Sequence, residues 1–251
     1  MTVIVVASNK GGVGKTTISI LLAEELAYRG YSVAVVESDE ERHIANYLAN
    51  REHKEQLPNF ELFSDEDAST LGKTIRLAEE SHDIVVADLP GFGGLQFTRA
   101  VARANLVLIP MKPSLMDNNS ATNAIEQIAI EEDHLARKIE HRIVLNMVKD
   151  AKMKERAVGV DRSERALREH LKVHNFPVLN AEMSLRRGAF VSFYTYASTL
   201  PEMIDESMSS STESLERGYR EIVQLGEEVL ETLGIPGDPK MAQEMQQEAS
   251  A

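Results

Sequence analysis

The sequence predicts an α/β domain, a mainly parallel twisted sheet covered by helices on both faces, and three observations carry that reading. Short apolar runs recur that are nearly continuous rather than alternating, the pattern of strands buried on both faces. Segments long enough for helices separate these runs, and strand–helix alternation implies parallel strands joined by crossovers. The first apolar run opens into a glycine-rich turn and then a helical pattern.

In chain order, residues 2–7 (TVIVVA) form the first strand, and residues 16–29 a helix closed by Gly30. Residues 32–37 (SVAVVE) repeat the buried-strand pattern, and 41–50 are of helix length. A shorter run at 60–63 suits an edge strand, followed by a helix over 70–80. The strand 83–88 (DIVVAD), a helix over 96–103, the strand 106–110 (LVLIP) and a helix over 119–132 continue the alternation. Residues 142–147 (RIVLNM) give another strand, 163–174 a helix, 176–179 a second edge strand and 213–233 a terminal helix. Residues 236–251 are polar and rich in Met, Gln and Glu, so a frayed tail is expected there, leaving one domain over 1–235.

Composition narrows the function classes. The 251 residues contain no cysteine, which removes disulfides, thiolate metal sites and cysteine-ligated iron–sulfur clusters. No apolar run reaches 18 residues, and the first run is short and lacks a basic lead-in. The expectation is a cytoplasmic protein with no membrane partner. A net charge of −13 argues against nucleic acid, but the charge is uneven. Between Arg137 and Arg187 lie 13 Lys/Arg against 7 Asp/Glu, a local excess of +6. That stretch is either a mixed-charge helical surface or one that meets phosphates.

The chemistry concentrates in Ser8-Asn9-Lys10-Gly11-Gly12-Val13-Gly14-Lys15-Thr16-Thr17, set between the first strand and the first helix. In that context a glycine-rich turn wraps phosphates with backbone N–H groups, and the helix N-terminus adds partial positive charge. Lys10 to Thr17 would cradle ATP, with Lys15 reaching the β- and γ-phosphates and the Thr16 hydroxyl on Mg²⁺. Asn9 stands where the usual pattern has glycine, and Asn is the residue best able to accept a left-handed backbone in its place.

With its extra lysine, KGGVGKTT resembles the deviant Walker A box of the ParA/MinD superfamily. The resemblance covers roughly residues 2–200 and is nearest to small plasmid-type ParA (ParF-like) proteins. It implies a P-loop NTPase fold and an ATPase that dimerises around ATP, with Lys10 reaching the partner's nucleotide. Asp88, which closes DIVVAD ahead of Leu89-Pro90-Gly91-Phe92-Gly93-Gly94, is similar to the family's Walker B aspartate, which holds Mg²⁺ through a water. Asp39 matches the aspartate that orients the attacking water. Its flanks depart from the family's Asp-x-Asp-Pro-Gln, since Glu37 replaces the first aspartate and Glu40-Glu41 the Pro-Gln. Pro110, Pro113, Ser114 and Asp117 match a further strand-end segment, and Asn146 is a candidate adenine contact.

Among branches of the superfamily, those that share a metal cluster need cysteine. MinD-like proteins end in a basic lipid-docking helix, whereas this terminal helix is acidic. A ParA-like partition or cargo-positioning ATPase remains. For it the resemblance implies slow intrinsic hydrolysis, a ParB-like or adaptor partner that stimulates it, and nucleoid association when ATP is bound. Non-specific DNA would meet cations such as Lys152, Lys154, Arg156, Arg165, Arg168, Arg186 and Arg187. Two alternatives stay open: a metabolic ligase of the dethiobiotin- or cobyrinate-synthetase kind, and a weakly hydrolysing nucleotide-gated scaffold.

Overall fold

A computed structural model describes residues 1–50, 60–91, 94–114, 118–149, 160–185, 190, 193–194, 198–206 and 212–237. Among them seven strands form one sheet: β1 (Thr2–Val6), β2 (Val33–Glu37), β3 (Phe60–Ser64), β4 (Ile84–Asp88), β5 (Leu106–Met111), β6 (His141–Val148) and β7 (Met183–Ser184). Their order is β3-β2-β4-β1-β5-β6-β7, and every pairing is parallel. The helices are α1 (Lys15–Tyr28), α2 (His43–Ala49), α3 (Leu71–Ser81), α4 (Gly94–Val101), α5 (Asn118–Leu135), α6 (Val160–Val173), α7 (Leu200–Glu206) and α8 (Thr212–Leu233).

Successive strand residues point to opposite faces, and the core divides accordingly. Ile4, Val6, Val35, Val86 and Leu108 face Ile18, Leu22 and Leu26 of α1 and Ile222, Leu225 and Val229 of α8. Val3, Val5, Val36, Val85 and Val107 face Ile75 of α3, Phe97 of α4, Ile128 of α5 and Leu167 of α6. Apolar side chains on both faces are what made each strand read as a continuous run.

Two expectations need correction. The edge strand expected over 176–179 contributes only a single bridge, Val178 to Ile143, and the sheet edge is instead Met183–Ser184. Asn9 is not left-handed; among the described non-glycine residues only Arg42, Ala136, Met147 and Asn175 have positive φ. The loop therefore makes its turns at Gly12 (φ 66) and Gly14 (φ 89), and position 9 needs no glycine. Helix α7 has no counterpart in the sequence reading. No helix among the described residues is long and apolar enough to cross a membrane.

Parallel strands bring their C-terminal ends to one edge, and register aligns three of them. Val6 and Glu37 are both paired with Asp88, so the loops after β1, β2 and β4 emerge side by side. That edge is where ligands bind in sheets of this kind.

Candidate nucleotide-binding site

The loop after β1 is built as a cradle. A Cβ added to Gly11 or Gly12 would meet nothing within 4 Å, so the space above the loop is open. Gly14 stands at the mouth of α1, and Ile18 N–H already donates to its carbonyl at 2.9 Å. The N–H groups of the first turn have no partner within the helix, which equips them for an anion. A side chain at Gly14 is excluded, because its Cβ would lie 2.2 Å from Asn146 Nδ2.

Asn146 itself braces this loop. Its Nδ2 donates to the Val13 carbonyl at 2.6 Å, and its Oδ1 accepts from Met147 N–H at 2.8 Å. The Nδ2 end thus holds β6 against the cradle, while the Oδ1 end is fixed within β6 itself.

Behind the loop, Asp88 is buried at the end of β4. Thr16 Oγ1 donates to its Oδ2 and Ser19 Oγ to its Oδ1, each at 2.8 Å. Burial pushes the Asp88 carboxyl up to about 6, against the lowering pull of the two hydroxyls and of Lys15. A hydroxyl and a carboxylate side by side beneath an open phosphate cradle fit Mg²⁺, which takes one or two protein oxygens, phosphate oxygens and water. Sequence reading paired Thr16 with Asp88 in function but missed Ser19. Its position one helical turn beyond Lys15, toward the strand, was the available signal.

The loop after β2 is pinned on several sides. Ser38 N–H donates to the Asp88 carbonyl at 3.1 Å. Asp39, half-buried, accepts from Glu41 N–H at 3.0 Å through Oδ1, and its own carbonyl accepts from Arg42 N–H at 3.1 Å. Glu37 is buried and reaches back to α2, accepting from Ile44 N–H at 2.6 Å and Ala45 N–H at 3.1 Å. Burial raises the Glu37 carboxyl, and these two N–H groups offset part of the rise. Its replacement of aspartate therefore has a structural purpose: the longer side chain caps a helix whose own N-cap, Arg42, makes no side-chain cap.

Lys10 and Lys15 stand on the cradle, both half-buried, and Thr17 follows in α1. Pro110 lies within β5 and Ser114 just beyond it, whereas Asp117 lies outside the described residues. So do Lys152, Lys154, Arg156, Arg186 and Arg187. Arg165 is exposed on α6. Arg168 is held between two carboxylates, donating to Glu164 at 2.9 and 3.0 Å and to both oxygens of Glu182. Its charge is neutralised within the fold. Arg137 is likewise committed, donating to the Val101, Ala102 and Ala104 carbonyls at the end of α4.

Residues 4–249 match the CobQ/CobB/MinD/ParA nucleotide binding domain family. Protein ParA of Rhizobium radiobacter is 36% identical over 163 residues, 65% of this chain and 72% of that protein. The maintenance of carboxysome distribution protein A of Halothiobacillus neapolitanus is 33% identical over 126 residues, 49% of this chain and 56% of that protein. A Cyanothece McdA variant solved with ATP shares the fold, with a TM-score of 0.70 at 17% identity over 94% of this chain and 97% of that one.

Proposed function

Because this chain belongs to the CobQ/CobB/MinD/ParA nucleotide-binding family, we propose that it is an ATP-switched partition or cargo-positioning ATPase. The observation that carries this is the pairing of Thr16 and Asp88 beneath the open glycine cradle, with Lys10 on the cradle's rim. Backbone N–H groups of residues 11–16 would bind the phosphates, Lys15 would offset their charge, and Thr16 and Asp88 would hold Mg²⁺.

In hydrolysis, water attacks the γ-phosphorus of bound ATP, the bond to the water oxygen forming as the bond to the β,γ-bridging oxygen breaks and ADP leaves. Asp39 orients that water and takes up its proton. Lys10 reaches into the active site of a second copy, so that ATP closes a homodimer. The names of the ParA and carboxysome-distribution relatives support partition or positioning. The basic stretch 137–187 supports a DNA-facing surface, with Lys152, Lys154, Arg156, Arg165, Arg186 and Arg187 as its contacts. Arg168 is better read as a fold clamp. A cargo-bound adaptor would accelerate slow hydrolysis by adding positive charge at the site.

The test is binding to non-specific duplex DNA with no nucleotide, ADP or ATP across a salt series, for wild type and Lys10→Ala. The expected result is binding with ATP only, steeply weakened by salt and lost in Lys10→Ala. Absence of DNA binding in every state would sink the partition reading, and small-molecule-dependent turnover would point to a ligase instead. Turnover that survives Asp39→Ala would remove the hydrolytic role given to that residue.

A further inference from the structure

Gln96 lies in the first turn of α4, two residues after Gly94 (φ 73) and close behind the segment that follows Asp88. Its side-chain amide reaches out of the helix and donates from Nε2 to two backbone carbonyls, Ser38 at 3.2 Å and Glu66 at 3.0 Å. One half-buried amide group thereby joins three loops at the strand ends: the Asp39 loop, the loop after β3, and the connection from β4 into α4. Glu66 is also the partner of Arg42, at the far end of the Asp39 loop. The loop is thus tied to the same support at its entry and its exit.

From this geometry we propose that Gln96 is the positioning residue for Asp39. The proposal rests on the hydrolytic reading of Asp39 given above. A peptide unit is planar, so holding the Ser38 carbonyl fixes the orientation of the Asp39 N–H and the place of its Cα, and leaves only rotation about N–Cα to aim the side chain from that side. Fixing that carbonyl needs a donor that does not move with the loop, and the Gln96 amide comes from a helix whose Phe97, Ala100 and Val101 are buried in the core. No acid, base or metal ligand is assigned to Gln96; it acts through Asp39.

The discriminating variants are Gln96→Met, which keeps length and shape but donates nothing, and Gln96→Lys, whose ammonium can donate to both carbonyls. In Gln96→Met, single-turnover hydrolysis should fall about tenfold, since small misplacements of a positioned group carry costs of this order. Nucleotide affinity should stay within about twofold, because the cradle is untouched. Gln96→Lys should recover most of the lost rate. Independently of turnover, hydrogen exchange in the nucleotide-free protein should quicken over residues 38–43 in Gln96→Met and stay unchanged over 84–88. Wild-type hydrolysis or wild-type exchange in Gln96→Met overturns the proposal. So does a loss shared by rate, affinity and melting temperature that Lys does not restore, the mark of a mere staple. If Asp39→Ala leaves turnover intact, the hydrolytic reading fails, while the exchange measurement still decides whether Gln96 holds the loop.

Discussion

At Gly14, backbone and side-chain chemistry meet in one residue. Its φ of 89 belongs to glycine, and its missing Cβ leaves room for the Asn146 amide that holds Val13. Gly14→Ala should cost about 1–3 kcal/mol through backbone strain, measured by urea unfolding. It should also displace Asn146 and weaken nucleotide binding. Asp88 gives a pH test. An acid that must ionise beside a cation loses affinity for it when protonated, so Mg-nucleotide affinity should fall as pH drops through about 6. In the metal-free protein the sign reverses for stability. The folded pKa lies above the unfolded 3.8, so the carboxyl disfavours the fold increasingly as pH rises from about 4 to about 6. Asp88→Asn should melt above wild type at pH 7, with the gap closing at pH 4. A pH-independent gap would mean that burial does not govern this group. That Thr16 and Asp88 would meet was legible, because each obeys a spacing rule. Gln96 and the bracing role of Asn146 were not, because their partners lie far away in sequence and no periodicity marks them, whereas Ser19 was marked only by its helical spacing from Lys15.

At the scale of the elements, α2 depends on its surroundings. Seven residues are too few for an independent helix, and Arg42 supplies no side-chain cap. Glu37 from the preceding strand takes the Ile44 and Ala45 N–H groups, and Tyr194 Oη donates to the His43 carbonyl at 3.0 Å. Tyr47 packs against Phe193 and stacks on Tyr194, with ring centroids 5.5 and 6.1 Å apart. Glu37→Ala leaves two N–H groups without their acceptor, one of them buried, and should cost about 2–4 kcal/mol in chemical denaturation. Glu37→Gln keeps one acceptor and should cost less. Equal costs would show that the cap is not what Glu37 contributes. The sequence marked Glu37 only as a departure from a family pattern, since its partner lies seven residues on in a different element. The central strands were legible to within a residue or two because burial on both faces leaves nothing but apolar side chains. The β7 edge was not, because two residues carry no pattern.

Over the whole molecule, the nucleotide cradle is connected to the C-terminal helix through α1. Buried Glu25 pairs with half-buried Arg29 at its far end, and Arg29 also donates to the Val223 carbonyl of α8 at 3.1 Å. Gly226 lets α8 close on α1, since a Cβ there would lie 3.0 Å from Glu25 Cγ. Beyond α8, Ile235 packs on the core and the Pro236 carbonyl accepts from Tyr31 Oη. The helix buries Leu215, Ile222, Leu225, Val229 and Leu230. At roughly 1.5–3 kcal/mol for each such side chain, their loss totals on the order of 10 kcal/mol, as much as a whole domain's net stability. A chain ending at Glu206 should therefore lack a cooperative thermal transition. One ending at Gly237 keeps every one of these contacts, so its melting temperature should stay within about 2 °C of full length, a shift that corresponds to about 0.5–1 kcal/mol. Circular dichroism melting of both truncations, with nucleotide affinity of the longer one, separates the two claims. A folded short form would mean that α1 holds the cradle without α8. A destabilised long form would mean that residues 238–251 take part in the domain rather than trailing from it.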